Sequence, residues 1–435
     1  MSKKIDLINK FLSHQAHIGI VGLGYVGLPL AVAFAEKGFT VTGIDVNPSK
    51  VNDLNEARSY VEDVCSERLV PLVHSGCLRA STNYAQLSDV DAISICVPTP
   101  LRKTKDPDIS YIIGAANEIA KHNGSNKLIV LESTTYPGST DEIILPRLIS
   151  HGAQVGVNFF LAFSPERIDP GRTDSNIFNT PKVIGGVTPN CLEVALALYS
   201  QIVQQPVPVS STRTAEMVKL LENTFRAVNI GLVNEVALMC DKLGLNVWEV
   251  IDAAKTKPYG FMTFYPGPGL GGHCIPVDPH YLSWKLRTLN YTARFIELAA
   301  EVNRYMPEFV VGKIMNALNQ QSKAVNGSQI LILGVAYKPN IGDVRESPAL
   351  DVIHLLLQKG ACVSFNDPFV KEIEIDGSRI QGSELTIDVL ENADCVVVIT
   401  DHQIYDWDFV SEHAKLIVDS RNAVVTEGKS KVIKL

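Results

Sequence analysis

A thiol on a conformationally restricted loop and a glycine turn of the nucleotide-binding type are the two features of this chain that could do chemistry together. Cys274 lies in Pro266-Gly-Pro-Gly-Leu-Gly-Gly-His-Cys-Ile-Pro-Val-Asp-Pro279, whose four glycines and four prolines fit a defined loop rather than a helix or strand. His273 and Asp278 place proton chemistry beside it. Taken alone, a single cysteine on such a loop is more often structural than catalytic, and an aspartate before proline is more often a turn residue. The second feature begins with an apolar run that leads into Gly22-Leu-Gly24-Tyr25-Val26-Gly27, then a helical segment, a second apolar run and Asp45. Glycines in this order permit a tight turn, backbone approach to a pyrophosphate and close helix–strand packing, with the helix N-terminus facing the phosphates. Asp45 is placed to hydrogen-bond a ribose diol and would repel a 2′-phosphate, which favours NAD over NADP. The motif alone leaves FAD open. A thiolate gains a purpose beside a nicotinamide, because oxidising an aldehyde by hydride loss requires a tetrahedral adduct, and a thiohemiacetal that collapses to a thioester supplies one. Lys219 and Asn223, four residues apart, share a helix face and could stabilise a developing alkoxide. From spacing alone, two polar residues on a solvated face are the commoner case.

The elements that must position these groups follow from the hydrophobic pattern. Strands are expected at His17–Val21, Thr40–Ile44, Asp91–Val97, Lys127–Leu131 and Phe159–Phe163, several as continuous Ile/Val/Leu runs typical of a parallel sheet covered on both faces. A helix is expected over Thr212–Leu243, stopped at Gly244. At that length it either bridges domains, forms a subunit interface or is a long core helix. The α/β rhythm returns at Gln329–Val335, Ala361–Asn366, Asp394–Ile399 and Leu416–Val418, with a crossover helix at Ser347–Gln358. This second sheet has no G-x-G-x-x-G and should not hold a second dinucleotide in the same manner. The expected fold class is α/β: two Rossmann-like, doubly wound parallel-sheet domains joined by a central helical domain, with boundaries at 1–205, 206–318 and 319–435.

Bulk properties narrow the function classes. Among 435 residues, Lys+Arg number 39 against Asp+Glu 47, a net charge of −8, and so acidic a chain is a poor nucleic-acid binder. The eight cysteines form no C-x-x-C pair, so no metal site is expected and reduced thiols in the cytoplasm are. The opening segment MSKKIDLINKFLSHQ mixes charge and apolar residues too evenly for a signal peptide. No apolar stretch approaches the roughly 20 residues a membrane span needs.

Seven ordered motifs together resemble the UDP-glucose/GDP-mannose dehydrogenase family over about residues 15 to 425: Gly22–Pro29, Cys96–Pro100, Glu132–Thr140, Ser164–Gly171, Glu216–Ala227, Pro266–Pro279 and Gly334–Ala349. The resemblance implies two successive NAD-dependent oxidations at C6 of a nucleotide sugar without release of the aldehyde. It makes Cys274 the nucleophile, Lys219 and Asn223 the groups that stabilise substrate oxyanions, and Asp278 a carboxylate handling a water or proton near the thiol. Thr134 and Glu166 would line the nicotinamide, with Glu166 a base for thioester hydrolysis. Cofactor contacts would come from Gly22, Gly24, Tyr25, Val26, Gly27, Asp45, Lys50, Pro98, Thr99 and Arg345. Substrate contacts would come from Tyr265, Gly271, His273, Lys338 and Arg421, with the C-terminal domain as the UDP-binding half and the site in the cleft between the α/β domains. A homodimer through the central helical domain is implied.

The segment from Lys255 to Cys274 is similar to the branch of that family that oxidises UDP-N-acetylhexosamines, above all UDP-N-acetylglucosamine, for surface polysaccharide synthesis. No arginine lies between Arg226 and Arg287, so the partner-subunit arginine that glucose-type relatives use is absent or replaced by Lys255 or Lys257. The manno, galacto and glucose substrates are competing assignments. A one-step Rossmann alcohol dehydrogenase, which needs no Cys274, and a nucleotide-sugar sensor without turnover are the rival classes.

Overall fold

Short apolar runs that cannot be satisfied at a solvated surface form the inner strands of the two larger sheets among the described residues. The computed structural model describes residues 3–61, 63–102, 106–122, 126–149, 154–168, 176–425 and 428–435. The chain divides into two compact units, one of residues 1–222 with 280–290, the other of residues 223–279 with 291–435. The helix Thr212–Leu243 contributes its first turns to the former and the remainder to the latter.

Among the described residues, the first unit holds an eight-stranded sheet made of β1 (His17–Val21), β2 (Thr40–Ile44), β3 (Leu78–Ser81), β4 (Ala92–Ile95), β5 (Leu128–Leu131), β6 (Phe160–Phe163), β7 (Lys182–Gly186) and β8 (Pro206–Val209), in the order 3-2-1-4-5-6-7-8. The order reverses between β1 and β4, the switch point at which open α/β sheets bind ligands beyond the strands' carboxyl ends. Ile18, Ile20, Ile93, Ile95 and every residue of β5 and β6 are buried, as a sheet covered on both faces requires. The five expected strands are present, β1 and β2 with the expected bounds and β4, β5 and β6 with ends trimmed by one or two residues. All pairings are parallel except β6 with β7, so the sheet is parallel with one antiparallel join. β8, PVPV, takes two prolines because it is an edge strand.

The second unit carries a five-stranded parallel sheet of β9 (Gln329–Leu333), β10 (Cys362–Asn366), β13 (Cys395–Val398), β14 (Leu416–Asp419) and β15 (Lys431–Lys434), in the order 10-9-13-14-15, and a hairpin of β11 (Glu372–Ile375) with β12 (Ser378–Gln381). Pro348–Gln358 is the crossover helix, with Ser347 as its N-cap accepting from the Ala349 N–H and Pro348 in the first turn. Met306, Val310, Ile314 and Leu318 of the helix Arg294–Asn319 bury into the same core as Ile330, Ile332, Val397 and Val418. No helix among the described residues is long and apolar enough to cross a membrane.

Both sheets use one plan at their first crossover. In the first, the Gly22 N–H bonds to the Ile44 carbonyl and the Leu23 N–H to the Asp45 carboxylate at 2.9 Å. In the second, the Gly334 N–H bonds to the Asn366 carbonyl and the Val335 N–H to the Asp367 carboxylate at 2.7 Å. The difference is His402. Its Nε2 meets Asp367 at 3.0 Å while its Nδ1 accepts from the Asn340 N–H at 2.9 Å, and both side chains are fully enclosed. The carboxylate that would meet a ribose in this second sheet is thus sealed.

Burial alone would raise the Asp367 pKa, but hydrogen bonds from His402 and from the Ala336, Phe369 and Val335 amides outweigh it and hold the group below the usual carboxylate range. The stability it contributes is complete above about pH 4 and lost as pH falls through its depressed folded value. Asp367→Ala, which orphans those donors, should cost about 3 kcal/mol in urea unfolding at pH 7, and the deficit should shrink at acid pH. Equal stability of variant and parent at pH 7 would contradict this role.

Candidate active site

The first glycine turn is shaped to receive a phosphate backbone. Gly22 has φ +91°, a conformation that L side chains rarely adopt. A Cβ on Gly27 would stand 1.8 Å from the Gly22 carbonyl oxygen, so only glycine lets the helix Gly27–Glu36 start there. A Cβ on Gly24 would meet nothing within 4 Å, so the middle glycine leaves open space in front of the helix. Tyr25 is exposed, and Val26 is the helix N-cap with no side-chain cap of its own. Asp45 follows β2 and accepts from the Leu23 and Asn47 amides. Lys50 lies 3.6 Å from its carboxylate and over the Tyr60 ring, whose hydroxyl donates to the Leu23 carbonyl. An open cradle, a helix N-terminus with no side-chain cap and a carboxylate at the end of β2 fit a dinucleotide.

The carboxyl ends of the adjacent strands β4, β5 and β6 bring further expected residues together. Pro98 and Thr99 follow β4, and the Thr99 carbonyl accepts from the Tyr281 hydroxyl. Thr134 follows β5, beside Ser133, whose hydroxyl donates to the Val97 carbonyl at 2.7 Å. Glu166 follows β6. One of its oxygens accepts from the Arg167 and Ile168 amides, each at 2.8 Å, and the other lies 3.4 Å from Lys182 Nζ. Of the motif Ser164–Gly171, Asp169, Pro170 and Gly171 lie outside the described residues. Glu216, one helical turn before Lys219, caps the turn after Thr134: its carboxylate accepts from the Gly138 and Thr140 amides and from both the Ser139 and Thr140 hydroxyls. Lys219 itself is buried.

In the second unit the thiol loop is fastened at both ends. Cys274 is partly buried, and its carbonyl accepts from the Asp278 N–H at 2.7 Å, where the helix Asp278–Arg287 begins. The Asp278 carboxylate accepts from the Asn223 amide at 2.5 Å, and these two side chains are only 3% and 5% exposed. The buried Asn223–Asp278 pair therefore sits at the turn that carries Cys274. The loop's glycines admit close neighbours. The Gly272 N–H bonds to the Arg345 carbonyl, and at φ +91° a Cβ there would stand 2.8 Å from the Tyr337 ring. Gly271 packs against the same tyrosine, and Gly267 faces the Arg421 guanidinium. His273 Nδ1 lies 3.1 Å from the Arg345 guanidinium, which also clasps Asp343. Burial would raise the Asp343 pKa, but Arg345 outweighs it and holds the group down. Arg421 donates to the Ile399 carbonyl. Lys338 sits on the loop after β9, partly buried. Tyr265 lies apart from this cluster, stacked on Trp248 with its hydroxyl between Asp252 and Lys255. The expected cofactor contact Arg345 is engaged with His273 and Asp343.

Sequence reasoning passed over Glu132, Lys182, Tyr199, Glu216, Tyr337 and Asp343. Four of these stood inside quoted motifs without an assigned role. Lys182 and Tyr199 carry no motif signal, since what identifies them is an ion pair and a hydrogen bond to Glu132 across 50 and 67 positions.

Comparison with known proteins places this geometry in a family. The NAD binding domain of the UDP-glucose/GDP-mannose dehydrogenase family matches residues 16–203, its central domain residues 213–305 and its UDP binding domain residues 331–426. This chain belongs to the UDP-glucose/GDP-mannose dehydrogenase family. It is 35% identical over 416 residues to a UDP-N-acetyl-D-mannosamine dehydrogenase of Pyrococcus horikoshii, covering 94% of this chain and 96% of that one. It is 36% identical over 416 residues to an NDP-N-acetyl-D-galactosaminuronic acid dehydrogenase of Ralstonia nicotianae, covering 93% and 95%. The solved structure of the Pyrococcus horikoshii UDP-D-ManNAc dehydrogenase superposes with a TM-score of 0.87 at 33% identity, covering 96% of this chain and 98% of that one. The protein is accordingly an NAD-dependent UDP-sugar dehydrogenase.

The cradle gives a discriminating test. Gly24→Val fills open space, so it should leave the melting temperature within about 2 °C of the parent while weakening NAD at least about ten-fold by calorimetry, roughly 1.4 kcal/mol. Unchanged NAD affinity would show that the cofactor does not pass over Gly24.

Proposed function

We propose that this enzyme oxidises C6 of a UDP-2-acetamido-2-deoxyhexose, the gluco isomer first, from alcohol to carboxylate through a covalent Cys274 intermediate. The observation that carries the covalent route is the buried Asn223–Asp278 hydrogen bond at the turn that bears Cys274, whose carbonyl accepts from the Asp278 N–H. The chemistry supplied by NAD+ when bound is acceptance of one hydride in each of two oxidations. Gly22, Gly24, Gly27 and Asp45 hold that cofactor, with Lys50 beside the Asp45 carboxylate and Thr134 and Glu166 toward its reactive end.

The chain's own residues do the rest. Lys219 and Asn223 stabilise negative charge on the C6 oxygen. Asn223 has one amide hydrogen committed to Asp278 and a second to offer. The Cys274 sulfur adds to the aldehyde carbon, forming a C–S bond and a thiohemiacetal. Loss of the second hydride leaves a thioester. Water then attacks the thioester carbon, Glu166 takes its proton, and the C–S pair returns to sulfur. One alcohol, two NAD+ and one water give one carboxylate, two NADH and three protons. Asp278 holds the proton that Cys274 loses and regains.

The acetamido assignment is supported by the names of the relatives and by the segment Lys255–Cys274, which has no arginine. The gluco isomer is supported by the resemblance of that segment to the UDP-N-acetylglucosamine branch. Synthesis of surface polysaccharide in the cytoplasm belongs to the same reading. So does a homodimer, supported by the exposed stripe Met217, Leu221, Phe225, Leu232, Met239 and Leu243 along one helix.

Cys274→Ser should bind UDP-N-acetylglucosamine and NAD normally but lose the second oxidation, with NADH per sugar falling from two to one or none. Normal turnover with two NADH would rule out the thiol route. In a panel of UDP-N-acetylglucosamine, UDP-N-acetylgalactosamine, UDP-N-acetylmannosamine and UDP-glucose, kcat/KM should be highest for the first and at least about ten-fold lower for UDP-glucose. A preference for the manno or galacto isomer would overturn the gluco assignment, and a preference for UDP-glucose the acetamido class. No NADH from any of the four would favour a sensor.

A further inference from the structure

A buried lysine with no part in the scheme above sits beside the carboxylate proposed as its final base. Lys182 opens β7 and is 5% exposed. Its Nζ donates to Glu132 at 2.7 Å and lies 3.4 Å from Glu166 and 3.5 Å from the Pro165 carbonyl. Glu132, at the end of β5, is 1% exposed and accepts also from the Tyr199 hydroxyl, which pairs with Ser94. The Lys182 ammonium also lies over the Tyr199 ring. An ammonium this enclosed persists only where carboxylates compensate it, and two of them do. The arrangement is asymmetric. Glu132 is internal, with a donor on each of its oxygens, whereas the Glu166 side chain keeps 18% of its surface exposed. One Glu166 oxygen is fixed by two backbone amides and the other faces Lys182, so amides and lysine together set the direction in which the carboxylate points.

We infer that Lys182, anchored by Glu132, is a positioning residue that holds Glu166 ionised and aimed for hydrolysis of the thioester. The inference rests on the reading of Glu166 as the base of that step. Burial by itself would raise the Glu166 pKa. Lys182 is the largest of the opposing influences, followed by the Ile168 and Arg167 amides and Lys219, and the group is held below its ordinary value. The charged and titratable groups around it are Lys182 on β7, Glu132 after β5, Cys96 after β4, Tyr199 on the helix Pro189–Tyr199, Lys219 on the helix Thr212–Leu243, and Arg167, which is itself paired with Glu222. In the hydrolytic step a water oxygen bonds to the thioester carbon, a water proton passes to Glu166, and the C–S bond breaks with its electron pair returning to the Cys274 sulfur. A Glu166 that is protonated at working pH cannot take that proton, so the lysine sets the lower pH edge of this step alone.

The test uses Lys182→Met/Glu132→Gln, which removes the cation and its anchor together and leaves no uncompensated charge at position 132, with Lys182→Arg as the charge-keeping rescue and Glu166→Gln as a control on the reading. The rate of loss of the sugar adduct from the full-length enzyme is followed against pH by rapid quench and protein mass. Glu166→Gln should accumulate the acyl-enzyme. The double variant should deacylate at least about ten-fold more slowly at pH 7, with its acid limb moved up by about one pH unit or more, NAD affinity unchanged, and Lys182→Arg should restore most of the rate. Deacylation in the double variant with the parent's pH profile, while Glu166→Gln still accumulates adduct, overturns the inference and leaves the base assignment standing. No accumulation in Glu166→Gln overturns the base assignment itself.

Discussion

The hydrogen bond from the Asn223 amide to the Asp278 carboxylate ties the loop that carries the thiol to the helix that carries Lys219. Both partners are buried, so a hydrogen bond made here replaces one that bulk water would otherwise supply. A bond of this kind contributes about 1.5–3 kcal/mol, more than a neutral one. It also fixes a direction: with Asn223 held, its remaining amide hydrogen and the Lys219 ammonium one turn earlier are presented from one helix. The cysteine follows from the same constraint, because its carbonyl is bonded to the Asp278 backbone. Glycine at 271 and 272 then allows Tyr337 and the Arg345 backbone, both within the residues matched by the UDP binding domain, to pack against the loop that carries the thiol.

The two sheets show how one local plan yields two outcomes. Each begins with strand, positive-φ glycine, helix, strand and aspartate, and in each the aspartate accepts an amide from the glycine turn. In the first, the carboxylate stands beside an open cradle. In the second, His402 fills the equivalent place and uses the aspartate as an anchor for the Asn340 turn. The loop from Ala336 to Glu346, which bears Lys338 and Arg345, is built on that anchor.

Much of this was legible in the sequence where the signal is local. The glycine turn with Asp45 and the helix Thr212–Leu243 follow from short-range pattern, since each is decided by periodicity or by residues within one crossover. The strands β3 and β8 were not expected, because LRAS is half polar and PVPV reads as a breaker; their strand state comes from neighbours in the sheet. The antiparallel join of β6 with β7 has no local signature. The thiol loop was recognisable by its glycines, but the reason for them, Tyr337 and Arg345 some 70 positions away in the chain, was not. The Lys182–Glu132 pair escaped for the same reason. A buried lysine looks like any surface lysine until its partner is known.

The central claim is that Cys274 becomes acylated during turnover. The direct measurement is peptide mapping of the unmodified enzyme, acid-quenched within the first turnovers on UDP-N-acetylglucosamine and NAD+. The account predicts a sugar-derived acyl mass on the peptide bearing Cys274, formed and lost at rates that support the steady state. An enzyme that turns over with this peptide unmodified at every time point, or with the adduct on another residue, would contradict it.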